Sequence, residues 1–268
     1  EGYTVDVYEK NEDVGARFNG DLQGLENWSE KKDILEQLKE MNIEINFDCD
    51  PFSKLVLTNL SKTREISFRR PLFHVVKRGS FSGTIDYGLK VQALKLGVNL
   101  HFGGTLSENE ADIVATGPVP EEVFGIVKGV VFRTGVADVA IVVVNDSLAF
   151  KGYSYLLITR KYGCLGAAVF NELWRVNECF ERTREFFVGK LDLDMRGLKE
   201  FGGVGSFSLR GGKKETTLYV GEAAGLQCLL WGFGMRFAIT SGYLAAQSVI
   251  NGEDYEEFVK NHFRNKQK

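Results

Sequence analysis

The fold class is decided by Thr217-Leu-Tyr-Val-Gly-Glu-Ala-Ala-Gly225 together with the nearby Gly232-Phe-Gly-Met235. The apolar start predicts a short strand, the small residues predict a sharp turn, and the pattern from about Gly234 to Ile250 predicts a long helix. Small residues let the backbone approach a bound group closely, and a helix N-terminus presents N–H groups without partners. The stretch therefore suits an anionic ligand edge, although such a helix start more often serves packing alone.

The first residues of the chain show a second pattern, a strand that ends in a carboxylate. Val5 and Val7 alternate with polar residues, and the run closes at Glu9. A carboxylate in this position can accept hydrogen bonds from both hydroxyls of an adenosine ribose, whereas the competing interpretation is a solvated strand end. In dinucleotide-binding proteins the carboxylate follows a Gly-rich turn by about 20 residues. Only eight residues precede Glu9, so we expect the first strand and this turn to be absent.

Between these two patterns the sequence alternates predicted helices and strands. Lys10 to Gly24 is predicted to be a loop, and Ser29 is predicted to be the N-cap of the helix that follows. Residues 53–60 and 64–70 alternate as a β-hairpin does. The other predicted elements are a strand at 72–77, a helix at about 84–96, a strand at 112–117, strands at 153–159 and 164–170, and a helix at 177–188. The β-rich runs after residue 129 indicate a separate antiparallel sheet.

Composition excludes several classes of protein. The 268 residues include 33 Lys plus Arg and 36 Asp plus Glu, a net charge of −3, whereas nucleic-acid binders usually carry a basic excess. Hydrophobic residues make up 44% of the chain, which predicts a globular protein. No apolar run approaches the roughly 18 residues that span a bilayer. We therefore expect no nucleic-acid partner and no transmembrane segment, while peripheral membrane contact stays open.

Cysteines and histidines indicate neither a disulfide scaffold nor a metal site. The four cysteines form no Cys-x-x-Cys pair, and without a secretory leader they indicate a reducing, cytoplasmic setting. The three histidines lie apart in the sequence with no ligand spacing, so no metal is expected. No Gly-x-Ser-x-Gly elbow is present. The catalytic residue is therefore not identified by the sequence.

The order of these pieces resembles one family. It is a strand ending in Glu9, then Asn19-Gly-Asp21, Val75-Val-Lys-Arg-Gly79 before Asp86, Ala115-Thr-Gly117, Gly221-Glu-Ala-Ala-Gly225 and Gly232-Phe-Gly-Met235. This order resembles FAD-dependent oxidoreductases of the geranylgeranyl reductase family, which is similar to the wider aromatic-hydroxylase-like flavoproteins. The resemblance covers nearly the whole chain, is strongest at residues 72–117 and 217–246, and is weakest at 119–200.

The resemblance implies FAD as the cofactor and a set of residues that bind it. Glu9 corresponds to the ribose ligand, and Arg78 corresponds to the family's cofactor-facing arginine. Glu222 stands where the family usually has Asp, which contacts a ribityl hydroxyl. The remaining implied cofactor-binding residues are Gly20, Asp21 and Gln23 beside the pyrophosphate and ribityl chain, Gly117 beside the dinucleotide, and Gly221, Gly232, Gly234 and Met235 around the isoalloxazine. The absent Gly-rich turn implies weaker FAD binding than in a chain that carries it.

The implied fold is α/β, with a glutathione-reductase-like, Rossmann-type FAD domain and an antiparallel β-rich substrate domain. The FAD domain is interrupted and lacks its N-terminal strand, and it comprises residues 1–52, 71–118 and 216–250. Residues 53–70 and 119–215 form the substrate or cap domain, and 251–268 form a C-terminal helix. Tyr153, Tyr155, Trp174 and Trp231 are candidates for an apolar substrate pocket, with core packing as the competing interpretation.

Three functions follow as hypotheses. The first is reduction of C=C bonds in an apolar, isoprenoid-like small molecule or lipid by hydride from reduced FAD, with the electron donor open. The second is an FAD-dependent monooxygenase or halogenase. The third is a non-catalytic remnant that acts as an interaction module. Because one fold hosts many reactions, the resemblance does not choose between reductase and oxygenase.

Overall fold

The computed structural model describes residues 2–206, 211–228 and 231–263. Its strands are Asp6–Glu9 (β1), Leu22–Glu26 (β2), Cys49–Phe52 (β3), Lys54–Thr58 (β4), Thr63–Ser67 (β5), Phe73–Lys77 (β6), Asn99–Phe102 (β7), Ile113–Val114 (β8), Val123–Arg133 (β9), Val139–Val143 (β10), Tyr153–Thr159 (β11), Tyr162–Val169 (β12), Arg196–Ser206 (β13), Lys213–Lys214 (β14) and Thr217–Tyr219 (β15). Its α-helices are Ile34–Glu40 (α1), Ile85–Lys95 (α2), Val176–Leu191 (α3), Met235–Asn251 (α4) and Tyr255–His262 (α5). Residues 264–268 of the predicted C-terminal helix lie outside the described residues.

The largest element is a seven-stranded mixed sheet in the order β13-β9-β12-β11-β10-β4-β5. The β10–β4 pair is parallel and the other pairs are antiparallel. Helix α3 packs on one face, where Phe180 and Phe187 join Leu156 and Leu165 in a buried apolar cluster. The predicted hairpin is present as β4–β5, and it adds to the edge of this sheet through β10.

A three-stranded antiparallel sheet, β2-β6-β3, packs with α1 and α4 around Leu25, Ile34, Leu38 and Val76. Its surroundings include several buried ionisable side chains, among them Glu26, His74 and Arg236. Arg236 donates from both Nε and Nη2 to Gln37 Oε1, at 3.0 and 2.6 Å. These bonds connect α4 to α1 beneath the sheet.

Two further parallel strand pairs lie in two smaller sheets. Strand β1 pairs with β7, and β8 pairs with β15, which is extended by the antiparallel β14. Helix α2, which precedes β7, begins at its N-cap Thr84, whose side chain accepts from Tyr87 N, and ends before Gly97 at φ +82°. Helices α4 and α5 pack against β8 and β15 through a cluster that includes Ala245 and Tyr255. No helix in the described ranges is long and apolar enough to cross a membrane.

The structure corrects two details of the predicted elements. The N-cap of α1 is Asp33, whose side chain accepts from Leu35 N. Ser29 lies five residues before Ile34, the first residue of the helix, and its hydroxyl donates to Glu26 Oε1 at 2.6 Å instead. The predicted loop at residues 10–24 already contains the start of β2. This strand forms because the neighbouring strand β6 pairs with it.

Candidate functional site

The predicted site residues surround one large cavity of about 2320 Å³. One side of this cavity consists of strand ends and turns, and the other is a face of the seven-stranded sheet. The lining includes Glu9, Asp21, Gln23, Arg78, Gly117, Gly221, Glu222, Gly232, Gly234 and Met235. Gly20 is not part of the lining, but its N–H donates to the carbonyl of Arg78 at 3.1 Å. Residues far apart in the sequence are thus brought to one place.

Arg78 is held firmly at the cavity wall by two partners. Its Nε and Nη2 donate to the two carboxylate oxygens of Asp86 at 2.9 and 2.8 Å, and its Nη1 donates to Gln23 Oε1 at 2.9 Å. Asp86 also accepts from Gly79 N at 2.9 Å. Such a bidentate pair fixes the plane of the guanidinium. Arg78 is therefore pre-oriented at the wall, with part of its charge balanced by Asp86.

Asp21 lies beside this pair, almost fully buried. It accepts from Asn19 N at 2.9 Å and lies 3.4 Å from Gln23 Nε2. Burial raises the pKa of its carboxyl above the usual Asp value, although these hydrogen bonds oppose the shift. Gly20, which precedes it, has φ +91°, and a Cβ there would lie 2.6 Å from the Tyr162 hydroxyl oxygen. The turn therefore requires glycine.

Glu222 lies in the short 3-10 helix that follows β15. Its Oε1 accepts from Ser206 N at 2.7 Å. Burial raises the pKa of this carboxyl, while the Ser206 hydrogen bond and the charge of Arg17 oppose the shift. The resemblance implies a ribityl contact for Glu222, and one oxygen is already bonded to the end of β13. Glu222 also lines the cavity wall.

The small-residue turns leave space where a side chain would otherwise stand. Gly117 and Gly232 have φ values of +78° and +68°, and no heavy atom lies within 4 Å of a Cβ built on either one. Gly221, at φ +57°, instead packs its backbone against Ala238 of α4. Helix α4 begins at Met235 after Gly234, and both residues line the cavity. The N-terminus of a 17-residue helix therefore faces the cavity.

Glu9 ends β1, as its pattern predicted, and it lies at the cavity wall. Its Oε1 accepts from Asn11 N at 2.9 Å and from Asn11 Nδ2 at 2.6 Å. The carboxylate is thus oriented by the loop that follows its own strand. Within the described residues, Oε2 of Glu9 accepts no hydrogen bond. This oxygen can therefore accept from a ligand hydroxyl.

Sequence reasoning missed several residues of the wall. Two guanidinium groups lie close to the Phe18 ring, with Cζ of Arg78 at 4.0 Å and Cζ of Arg17 at 4.5 Å from the ring centre. Burial and the charge of Arg78 lower the pKa of Arg17. Phe233 packs on Gly24, where a built Cβ would lie 2.2 Å from the ring. The signal available in the sequence was the arginine followed by an aromatic residue in a glycine-bounded loop.

The other side of the cavity is apolar and aromatic. It comprises Leu55, Leu57, Ile66, Phe124, Val142, Tyr155, Leu157 and Phe201, all from strands of the seven-stranded sheet. Tyr153 donates its hydroxyl to the carbonyl of Trp231, and the two rings meet edge to face at 5.3 Å. Of the four aromatic pocket candidates, Tyr153, Tyr155 and Trp231 line the cavity. Trp174 does not line it, and its side chain is 77% exposed.

Comparison with known proteins relates this arrangement to flavoproteins. No family model matches the sequence, and no curated protein is significantly similar to it. A geranylgeranyl bacteriochlorophyll reductase-like protein from Thermoplasma acidophilum has a TM-score of 0.75 at 17% identity, over 99% of this chain and 79% of that chain. A triple mutant of a flavin-dependent brominase gives 0.66 at 14% identity, over 97% and 78%. The protein CtdE, solved with FAD and a substrate, gives 0.66 at 13%, over 95% and 77%.

The chain has the fold of FAD-dependent oxidoreductases. The α/β flavoprotein fold predicted from the sequence is thereby confirmed. The cavity residues of this flavoprotein fold also fit the cofactor chemically. Open glycine turns at Gly117 and Gly232 leave room for a bound group, and the N-terminus of α4 provides N–H donors for an anionic edge. No cluster of side chains suited to a metal ion occurs within residues 2–206, 211–228 and 231–263.

Proposed function

We propose that the protein is an FAD-dependent reductase that saturates C=C bonds of an apolar, isoprenoid-like substrate. The observation that carries this proposal is the division of one cavity into two chemically different sides. One side has charged groups, glycine turns and a helix N-terminus, and the other is the apolar face of a sheet. Typical single-ligand pockets measure about 300–1,000 Å³. The cavity of about 2320 Å³ therefore has room for a cofactor and a substrate together.

The polar side would hold FAD through groups that are already oriented. The free carboxylate oxygen of Glu9 would accept from the ribose hydroxyls, and Glu222 would accept from a ribityl hydroxyl. The backbone N–H groups at Gly234 and Met235 would stabilise the anionic edge of the ring system. When reduced, the bound flavin supplies hydride. The protein itself supplies position and electrostatics.

The apolar side would bind the substrate by excluding water from it. Each buried methylene contributes roughly 0.8 kcal/mol, so affinity should rise with the length of a hydrocarbon chain. Burial raises the pKa of Tyr153 and Tyr155, which keeps both hydroxyls neutral in this wall. In the net reaction hydride adds to one alkene carbon and a proton from water adds to the other.

The oxygenase or halogenase alternative rests on the structural neighbours, since a flavin-dependent brominase shares the fold. Both reactions would use the same cofactor-binding side of the cavity, and they differ in whether the reduced flavin reacts with the substrate or with oxygen.

The compartment we propose is the cytoplasm. All four cysteines carry free thiols, of which Cys164 and Cys179 are buried, and this suits a reducing compartment.

The test is anaerobic. The FAD-loaded protein is photoreduced, a polyprenyl alkene is added, and the visible flavin absorbance is followed while products are analysed by mass spectrometry. Return of the absorbance without oxygen, with a saturated product, supports the reductase. If the absorbance returns only after oxygen is admitted and the product is oxygenated or halogenated, the oxygenase replaces it. A series of alkenes of increasing length should show affinity rising with length.

A further inference from the structure

Three cationic side chains surround a small pocket at one end of the seven-stranded sheet, away from the large cavity. Arg133 ends β9, Lys161 lies in the turn between β11 and β12, and Arg196 begins β13. Together with Thr134 they line a pocket of about 180 Å³. None of the four residues lines the large cavity. Because one water occupies about 30 Å³ of liquid volume, the pocket has room for a phosphate group and a few waters.

The charges around this pocket are not balanced. Arg133 and Arg196 occupy directly opposite positions in the β9–β13 pair, and like charges in that arrangement destabilise a sheet. Asp194 lies 3.3 Å from Arg196 Nε through its Oδ2, while its Oδ1 accepts from Thr134 Oγ1 at 2.7 Å. In the described part of the chain, no carboxylate lies within ion-pair distance of Arg133 or Lys161. One carboxylate thus faces three cations.

The neighbouring carboxylates have other partners, and Asp138 Oδ1 accepts from Arg160 N at 2.9 Å. Arg160, next to Lys161, forms an ion pair with Asp50, which accepts from Thr159 on its other oxygen. The backbone holds Lys161 in place, because Thr134 N donates to its carbonyl at 3.1 Å. The pocket therefore combines a fixed backbone with an excess of positive charge.

We propose that this pocket binds the phosphate group of a ligand, with Arg133, Lys161 and Arg196 as its donors. The ligand is either a phospholipid headgroup or a phosphorylated small molecule, since both present the same oxyanion. A β-bulge between Arg196 and Lys199, with Gly197 at φ +65°, leaves the Leu198 side chain 50% exposed. An exposed leucine beside basic residues is suited to a lipid surface. The site is independent of the proposed reductase activity.

The first experiment titrates the protein with inorganic phosphate at constant ionic strength, with chloride as the reference anion, and follows backbone amide resonances by NMR. Saturable shifts at Thr134, Lys161 and Arg196 are expected. Arg133→Gln should weaken the apparent affinity about fivefold or more, because a charge-assisted donor is lost. Arg64→Gln is the matched control, since Arg64 is an exposed arginine on β5 at the opposite side of the sheet. This variant should bind as the original protein does.

Non-saturable shifts, or equal loss in both variants, would overturn the proposal by showing only diffuse ion screening. The second experiment uses sedimentation with vesicles of phosphatidylglycerol and of phosphatidylcholine to determine the source of the phosphate. Binding to phosphatidylglycerol that is lost in Arg133→Gln but kept in Arg64→Gln identifies a lipid headgroup. Saturable phosphate binding without vesicle binding identifies a phosphorylated small molecule.

Discussion

The seven-stranded sheet and the three-stranded sheet β2-β6-β3 bury their cores in different ways. Between the larger sheet and α3 the buried cluster is apolar, apart from a hydroxyl pair in which Ser154 Oγ and Thr183 Oγ1 lie 2.6 Å apart. Beneath the smaller sheet, Glu26, His74 and Arg236 are each at most 4% exposed. One region depends on packing. The other buries charged and polar groups, of which Arg236 donates to Gln37 while the two ring nitrogens of His74 have no hydrogen-bond partner in the described part of the chain.

This difference matches the role of each region at the cavity. The larger sheet supplies a wall of strand residues that need only be apolar and closely packed. The smaller sheet supplies Gln23 on β2, and Arg78 directly follows β6, so its buried polar groups hold the segments that carry charged site residues. Burying polar groups costs stability unless each one is satisfied. The smaller sheet should therefore respond more strongly to loss of a charge partner and to pH.

The largest effect is expected from the apolar region. Phe187 of α3 is 1% exposed, and Phe187→Ala should lower the free energy of unfolding by about 4 kcal/mol through lost burial and a cavity. The adjacent Val188 is 37% exposed, and Val188→Ala should change it by less than about 0.5 kcal/mol. Urea unfolding at low and at high salt measures both. A strong salt dependence of the Phe187→Ala effect would show that this region is not governed by packing.

A somewhat smaller effect is expected when a buried charge loses its partner. Arg236 Nε lies 4.0 Å from Glu26 Oε1 in the interior. Arg236→Met should cost about 3 kcal/mol, because the Glu26 carboxylate is left without a cation. Adding Glu26→Gln should recover part of this loss, which a double-mutant cycle measures. Strictly additive losses in the two variants would contradict the coupling.

The sequence predicts the apolar region better than the polar one for a physical reason. Strands β11 and β12 carry long apolar runs, and the predicted strands 153–159 and 164–170 nearly match them. Strand β2 contains Gln23, Gly24 and Glu26, so it lacks a clear apolar alternation and was predicted as loop up to Gly24. Its pairing with β6 depends on tertiary contacts that no local pattern records.

The candidate site also divides into residues that sequence patterns could place and contacts that they could not. Glu9, Gly117 and the turn after β15 could be placed from the sequence because strand ends and glycine turns have local signatures. The bidentate bond between Arg78 and Asp86 joins residues eight positions apart, and the Gln23 contact with Arg78 spans 55 positions. The packing of Phe233 on Gly24 joins residues still farther apart in the sequence. Such contacts follow only from the assembled fold.

A moderate effect on cofactor binding is expected from the pre-oriented arginine. Arg78→Ala should lower FAD affinity about fivefold or more, which corresponds to roughly 1 kcal/mol for a charge-assisted interaction. Glu222→Ala should act similarly, and Arg64→Ala on β5 is the matched surface control. Equilibrium dialysis against FAD measures all three. If Arg78→Ala binds FAD as the original protein does, then Arg78 serves only to hold Asp86 and Gln23.

The smallest effect is a pH dependence of stability in the polar region. Burial lowers the pKa of His74, which is 3.8 Å from Asp33 Oδ1, although that carboxylate opposes the shift. The unfolded chain therefore binds this proton more readily than the folded chain, so stability should fall as pH drops below about 6.5. The slope should not exceed about 1.4 kcal/mol per pH unit. It should disappear in His74→Leu and persist in His101→Leu, as measured by urea unfolding across pH.

The central claim, that FAD binds in the large cavity, can be tested with the three tryptophans of the chain. Trp28 and Trp231 line the cavity, whereas Trp174 is exposed elsewhere. In Trp174→Phe, FAD should quench the remaining tryptophan fluorescence saturably, with one equivalent bound per chain. The double variant Trp28→Phe/Trp231→Phe keeps only Trp174. It should bind FAD with the same affinity by equilibrium dialysis, but bound FAD should leave its fluorescence nearly unchanged. Absent quenching in the first variant, or equal quenching in both, would contradict the account.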